Sequence, residues 1–292
     1  MSDPEKVLKS TIRTFQSQAD VMAAATLTNQ EHWRSETPLE LAAYYVYDPD
    51  GCFIAEVDGI LAGICIATVY QHTGFIGELI VQPQYRKHQL GTRLMQTAIE
   101  YLNNEGISCI FLDGVLKAVP LYERLGFLPL CRSLRLFGQV SAREFTHITP
   151  IQTIDLPQIF DMDLQFFGSD RSFFLERRLR HYPELCWKWQ DINGLQAYLF
   201  GRVGIGGWVT AGPWVSRRSA QETLPLLEHF QSAIGNQPFS IGVLESTNQT
   251  VQLLVQNGMQ PNPEPPMRMF LGLVPNMVGS EQCLAIGSPA KG

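Results

Sequence analysis

Residues 81 to 95 read Val-Gln-Pro-Gln-Tyr-Arg-Lys-His-Gln-Leu-Gly-Thr-Arg-Leu-Met: a strand end, two adjacent basic residues, a glycine and the start of an apolar helical stripe. Val81 closes an apolar run, and Leu90, Leu94, Met95, Ala98, Ile99 and Leu102 then fall on one face of a 3.6-residue period. A chain written this way passes from sheet to helix through a short basic turn. The first helical turn has unpaired N–H groups and lies at the positive end of the helix dipole, so it can hold a diphosphate. Arg86 and Lys87 add formal charge beside it. Taken alone, a basic helix start with no ligand explains the stretch equally well.

The surrounding pattern predicts a mixed α/β fold. Residues 18 to 33 carry a helical pattern ending in Glu31-His32-Trp33, and residues 52 to 57 and 60 to 70 read as strands joined by Asp58-Gly59, a two-residue hairpin signal. A strand from Phe75 to Val81, the helix after Gly91, a β-branched strand over 107 to 113, a short helix over 119 to 127 stopped by Gly126, and a strand near 132 to 137 follow. No Gly-x-Gly-x-x-Gly follows the first strand and the early strands are hairpin-linked, which argues against a dinucleotide-binding fold.

The run Arg86-Lys87-His88-Gln89-Leu90-Gly91 resembles motif A of the GNAT superfamily of acetyl-CoA-dependent N-acetyltransferases, whose diphosphate loop reads Arg/Gln-x-x-Gly-x-Gly/Ala. Gln89 departs from that pattern, and the backbone there is expected to approach the phosphates less closely or with a different turn. Tyr122, before Leu125-Gly126-Phe127, resembles the aromatic hydroxyl of motif B. The resemblance implies acetyl-CoA as cosubstrate, with Arg86, Lys87, His88, Gln89, Leu90, Gly91 and Thr92 around its phosphates and no metal. It also implies that backbone N–H groups near Ile80 and Val81 grip the pantetheine and polarise the thioester, with Tyr122 as the acid for the departing thiolate. A half-buried tyrosine packed on the sheet is the alternative for Tyr122.

The proton acceptor is less specified. Glu78, three residues before Val81, is placed to receive the amine proton, or is a surface carboxylate on the strand edge. His72, Glu31 and His32 are rivals, ranked lower because a lone histidine is more often structural or solvated.

Composition limits the rest. With 292 residues and 45% hydrophobic content, the chain can bury a large core and is expected to hold two domains. A net charge of −6 disfavours general nucleic-acid binding. Arg177, Arg178 and Arg180 read as a solvated helix face. The cysteines at 52, 65, 109, 131, 186 and 283 lack metal-ligand spacing and read as reduced, buried thiols. No apolar run reaches membrane-span length and the N-terminus lacks signal-peptide order, so a cytoplasmic enzyme without a membrane partner is expected.

Beyond residue 140 the chain echoes itself. A shift of 132 residues places Arg86 on Arg218, Gln89 on Gln221, Leu94 on Leu226, Leu112 on Leu244 and Gly126 on Gly258, and the element order recurs. The expectation is tandem GNAT-like domains, each a mostly antiparallel twisted sheet flanked by helices: a catalytic domain at 1–140 and a diverged domain at 141–292. The same shift puts Thr223 on Gly91 and Leu254 on Tyr122, so the second unit is expected not to catalyse. Its Gly168-Ser169-Asp170-Arg171 segment resembles the C-terminal domain of bacterial YitH-type acetyltransferases, although Asp170 also reads as an ordinary helix cap. Trp187, Trp189, Trp208 and Trp214 read as core, with a substrate cleft between the halves as the alternative. Two functions stay open: acetyl transfer to a primary amine on a small molecule or peptide by direct attack in a ternary complex, or a non-catalytic acyl-CoA sensor or partner-binding module. The acceptor and the oligomeric state are not read from the sequence.

Overall fold

The computed structural model describes residues 9–273 and 280–292. The first half runs β1 (Ser10–Thr14), α1 (Gln18–Gln30), α2 (Pro38–Tyr47), β2 (Cys52–Val57), β3 (Ile60–Val69), β4 (Thr73–Val81), α3 (Leu90–Asn104), β5 (Cys109–Gly114), α4 (Val119–Arg124) and β6 (Leu128–Gly138). The second repeats the order: β7 (Ile148–Pro150), α5 (Leu156–Phe167), α6 (Ser172–His181), β8 (Trp187–Asp191), β9 (Gly194–Val203), β10 (Val209–Ser216), α7 (Ala220–Ile234), β11 (Phe239–Leu244), α8 (Asn248–Gln256), β12 (Gln260–Pro261), β13 (Met267–Gly272) and β14 (Cys283–Ala285). The chain thus runs through the same order of elements twice, each time as a mostly antiparallel sheet with flanking helices. No helix among the described residues is long and apolar enough to cross a membrane.

The two sheets join through exchanged strands. The order is β1-β2-β3-β4-β5-β13-β6-β11-β10-β9-β8-β7, which reads the same from either end once β13 and β6 are matched. β6, from the first half, pairs antiparallel with β11 of the second, from Ser133 opposite Leu244 to Gly138 opposite Phe239. β13, from the second half, lies between β5 and β6. Each half therefore completes its sheet with a strand of the other, β6 or β13, an arrangement that hydrophobic periodicity cannot reveal because either partner buries the same face.

Each unit has one parallel pair that splits. β4 and β5 pair only from Thr73 opposite Cys109 to Phe75 opposite Phe111, although β4 runs on to Val81 and β5 to Gly114. Past Phe75 the strands part and leave a V in the sheet. β10 and β11 likewise pair only from Val209 to Ala211. There the chain's own later segment fills the gap: β14 pairs with β10, and Ile286 bridges to Gly242 of β11.

The helices cover the sheet through apolar faces. Leu94, Met95, Ala98 and Leu102 of α3 pack with Phe53, Cys65, Ile110, Leu112 and Tyr122, while Leu226, Leu227 and Phe230 of α7 pack with Phe239 and Ile241. Cys52, Cys65, Cys109 and Cys186 are buried thiols, whereas Cys131 and Cys283 are half-buried. α6 corrects one expectation: Arg180 is exposed in an ion pair with Glu176, but Arg178 is buried and pairs with Glu40. Asp170 does not hold the N-cap position of α6, which Arg171 occupies; its carboxylate accepts from Ser172 N at 2.8 Å.

Candidate active site

The V between β4 and β5 is produced by a bulge. Ile64 pairs with Ile80 and Ile66 with Gly77, so Glu78 and Leu79 together oppose Cys65. Glu78 takes φ +52°, a left-handed conformation that costs a non-glycine residue about 1–2 kcal/mol. The bulge turns its side chain inward: Glu78 is only 4% exposed, and its Oε2 has no hydrogen-bond partner among the described residues. Burial holds this carboxyl well above the usual carboxylate range, and Glu36 pushes it the same way against the attraction of Lys291 and Arg202. Glu78 is thus a buried group rather than a surface carboxylate on a strand edge.

Beside the split, β4 leads into the basic turn. Gln89 caps α3 with φ +61°, the conformation a glycine would adopt freely, and makes no side-chain cap. The turn forms with Gln89 in that conformation, and no side chain at the cap position covers the first N–H groups of α3. Gly91 follows inside the helix. A Cβ added there would lie 3.7 Å from Val81 Cγ2 and 3.8 Å from Leu121 Cδ2, ordinary contact distances. Nothing among the described residues demands a glycine at a helical position where it costs about 1 kcal/mol relative to alanine. A group from outside the chain that approaches the backbone closely would demand it, and a diphosphate fits that requirement.

Lys87, His88 and the Arg86 side chain are exposed around this turn. Arg86 donates through Nε to Val81 O at 2.8 Å and pairs with Glu31, so part of its charge is already spent on the chain. That contact makes Glu31 a partner of the turn. His72 lies exposed in the β3–β4 turn, at the other end of β4 from the split.

Tyr122 stands on the α3 side of the sheet, 7% exposed, its ring edge-on to Phe127 at 6.2 Å. Its ring lies over Gly114 at the end of β5, where a Cβ would come within 2.5 Å of it. The hydroxyl has no hydrogen bond to any described residue, and burial keeps its proton well above the usual phenol range.

On the other side of the split opens a cavity of about 390 Å³. Glu78 and Gly77 form its inner wall with Glu36, and Trp33, Arg34, Val115, Trp208, Pro289 and Ala290 enclose it. The α1–α2 loop reaches it because Trp33 N donates to Thr28 O and Thr28 Oγ1 to Glu36 O, which fold residues 31–36 back over α1. The second half holds this loop in place: Ile205 N donates to Arg34 O at 2.7 Å. Trp208 stacks on Phe137 at 4.8 Å, donates to Ser240 Oγ at 3.0 Å and carries the Arg34 guanidinium 5.0 Å from its ring. Of the four tryptophans assigned to the C-terminal core, Trp214 is fully buried there, while Trp208 lines this cleft.

Sequence reasoning missed Glu36, the Asp113–Arg135–Arg268 cluster and residues 289–290. Asp113, at the end of β5, is sealed from solvent; Arg268 and Arg135 outweigh that burial and hold it below its usual range. Arg268 comes from the exchanged strand β13, so no local spacing could have paired it with Asp113. Among the described residues no cluster of three or more His, Cys, Asp or Glu is placed to hold a metal.

The sequence model of the acetyltransferase (GNAT) family matches residues 19–127, which span α1 to the end of motif B. N-alpha-acetyltransferase 30 of Schizosaccharomyces pombe is 32% identical over 103 residues, 32% of this chain and 67% of that protein. The chain belongs to the GNAT acetyltransferase family. It is also similar to N-alpha-acetyltransferase 30 of Dictyostelium discoideum, 29% identical over 96 residues, and to mycothiol acetyltransferase of Acidimicrobium ferrooxidans, 30% identical over 122. It spans about half or less of these two GNAT relatives, 52% and 39% of their lengths. A Pyrococcus horikoshii crystal structure assigned as an acetyltransferase superposes with a TM-score of 0.79 at 19% identity, covering 97% of this chain and 96% of that one. That likeness is one of fold and runs over both halves.

Proposed function

We propose that this acetyltransferase moves the acetyl group of acetyl-CoA to a primary amine by direct attack in a ternary complex, at the β4–β5 split. The observation that supports the reading is an inward Glu78 whose Oε2 has no partner among the described residues, on the strand that parts from β5, with the Tyr122 ring packed over Gly114 at the end of β5. Acetyl-CoA supplies an acetyl group already activated as a thioester. The N–H groups at the start of α3, with Arg86, Lys87, His88, Gln89, Leu90, Gly91 and Thr92, hold its phosphates. The unpaired edge of Ile80 and Val81 binds its pantetheine arm and donates to the thioester oxygen.

Glu78 takes the proton from the incoming ammonium, and its raised pKa suits a base that works near neutrality. The freed amine forms the C–N bond as the C–S bond breaks. Glu78 passes that first proton to solvent and takes the second N–H proton as the amide forms; Tyr122 gives its proton to the sulfur that leaves and is reprotonated from Glu78 through solvent. The products are the amide, coenzyme A thiol and one proton. Tyr122 keeps its proton until that moment because burial disfavours the phenolate.

Residues 1–140 form the catalytic unit in this reading, and 141–292 a YitH-type unit that does not catalyse. Two observations support the second assignment. The β10–β11 split is filled by β14 and Ile286. The N-terminus of α7 is closed by a capping box in which Ser219 Oγ accepts from Glu222 N and Glu222 accepts from Ser219 N, placing a carboxylate where a phosphate would sit. The second unit instead lends Trp208, Ser240 and residues 289–290 to the first unit's cleft.

The test follows free thiol from acetyl-CoA over a panel of amines, with Tyr122→Phe alongside. Turnover with at least one amine, falling about 10²-fold in kcat in Tyr122→Phe, is expected. Coenzyme A binding without thiol release from any amine would favour the acyl-CoA sensor instead.

A further inference from the structure

Arg202 leaves one donor unused, and the residue lines a second, smaller cavity. Its terminal nitrogens donate to Glu40 at 2.8 Å and to Glu36 at 3.2 Å, while its Nε has no acceptor among the described residues although the residue is 1% exposed. A buried N–H on a charged group is costly to leave unmet. The unpartnered oxygens of Glu36 and Glu78 do not answer it, since both residues line the large cleft and Arg202 does not. Their neighbour is the Tyr44 hydroxyl, likewise without a partner, whose proton is held on by burial and then by Glu36 and Glu78.

The smaller cavity, of about 50 Å³, lies where the two halves meet. Arg135 of β6 and Arg202 of β9 line it with Ser35, Thr210, Ser240 and Ser288, and no carboxylate does among the described residues. Ser288 is 2% exposed; its Oγ accepts from Ala290 N at 3.2 Å and donates to no described residue. One water needs about 10–15 Å³ of such space, so the cavity admits four or five heavy atoms. Charge at the join is unbalanced in the matching sense. Asp113 is shared by Arg135 and Arg268, Glu40 by Arg178, Arg202 and Lys291, and Glu36 pairs with Arg202. Five cations thus meet three carboxylates, and an ionised Glu78 would still leave the cations one ahead. Arg135 registers the excess: burial holds it below the usual guanidinium range, and Arg268 and Arg202 push the same way against Asp113.

We propose that the smaller cavity binds a free oxyanion, phosphate or sulfate, held by Arg202 Nε, Arg135 and the hydroxyls of Ser288 and Thr210. A tetrahedral ion of five heavy atoms matches the volume, accepts from several donors at once and supplies the missing negative charge. Guanidinium groups suit it because their planar fork meets oxygen pairs. Chloride brings the charge but offers one centre to donors spread around the wall. The ion fastens Ser35 of the α1–α2 loop and β6 to β9, β10 and the segment at 286–289, and Pro289 also walls the large cleft. It therefore acts as a clamp between the halves, and no step of the acetyl transfer depends on it.

Calorimetric titration of the full chain with sodium phosphate tests this, at constant ionic strength in chloride and with excess coenzyme A to occupy the first turn of α3. One phosphate per chain is expected, with sulfate within about tenfold and methyl phosphate at least about tenfold weaker, because its carbon finds no room. Absence of phosphate binding overturns the proposal. So does an ester that binds as tightly as the free ion, which would make the phosphate one end of a larger ligand reaching in from the cleft. Ser288→Asp puts a carboxylate into the cavity, far from α3 in the chain, and keeps an acceptor for Ala290 N. It is expected to abolish phosphate binding and, in chloride, to melt higher than the neutral Ser288→Asn, with phosphate narrowing the gap. Phosphate binding that survives in Ser288→Asp, or an aspartate variant that melts below the asparagine one, sinks the assignment.

Discussion

Ala290 occupies the space that a side chain on Gly77 would need: a Cβ built on the glycine comes within 2.2 Å of Ala290 Cβ and 2.8 Å of its Cα. The segment near the end of the chain is thereby packed onto the bulged strand beside Glu78. Since the clash involves backbone as well as a methyl, no rotamer change relieves it. Gly77→Ala is expected to destabilise by about 1–3 kcal/mol and to raise the acceptor KM more than the acetyl-CoA KM. Chemical denaturation and steady-state kinetics on one preparation check both.

Gly91 presents the reverse case. Its hypothetical Cβ meets Val81 Cγ2 only at 3.7 Å, so Gly91→Ala should leave Tm unchanged or slightly higher, given alanine's better helix propensity. Acetyl-CoA binding should weaken about tenfold, equivalent to about 1.4 kcal/mol. Calorimetric titration with coenzyme A beside a melting curve decides it. A fall in Tm with unchanged affinity would mean that the glycine serves the fold alone.

Glu78 carries two pH signatures of opposite use. As a base it works only when ionised, so kcat/KM should fall with decreasing pH along a limb set above the usual carboxylate range. Its folded pKa is raised chiefly by burial and then by Glu36. Between the ordinary value of 4.5 and that raised value, the native protein holds a proton the unfolded chain has released. This group's contribution to stability is therefore present at low pH and lost as pH rises through the folded pKa. Glu78→Gln should abolish turnover by about 10²-fold or more and raise Tm at neutral pH. A variant that loses activity and stability together would contradict this account.

Much of the first unit can be read from spacing because its signals are local. The run from Val81 to Leu102 fixes a strand, a turn and a helix within one stretch of chain, and Asp58-Gly59 fixes a hairpin. Tyr122 and Gln89 could be placed by motif; that Gln89 adopts a glycine's φ could not be foreseen. The cleft was hidden because its walls are assembled from distant segments. Glu36 sits in a loop whose folding depends on Thr28, and Trp208 and Ala290 arrive from the second unit. The exchange of β6 and β13 is invisible for the same reason: alternation shows which face is buried, not which strand lies alongside.

Arg178 and Arg180 carry that lesson into stability. Two residues apart on α6, they point to opposite fates: Arg180 holds an exposed pair with Glu176, while Arg178 enters a buried hub around Glu40. Glu40 Oε2 receives Arg202 at 2.8 Å, Lys291 at 3.0 Å and Arg178 at 3.5 Å. Burial alone would raise its pKa, but Lys291, Arg202 and Arg178 outweigh that and hold it well below 4.5. The stabilisation is present above the unfolded pKa and lost as pH falls through the folded one. Removing one partner of a buried ion cluster strands the others, at about 3–5 kcal/mol. Glu40→Gln should therefore lower Tm by about 10 °C, and the deficit should narrow at low pH, where wild-type Glu40 is itself protonated. Arg180→Ala should change stability by less than about 0.5 kcal/mol. Melting curves of the two variants from neutral pH down to about pH 2, below the ordinary carboxylate value, measure both, and equal effects would mean that α6 contributes no buried charge to the join between the halves.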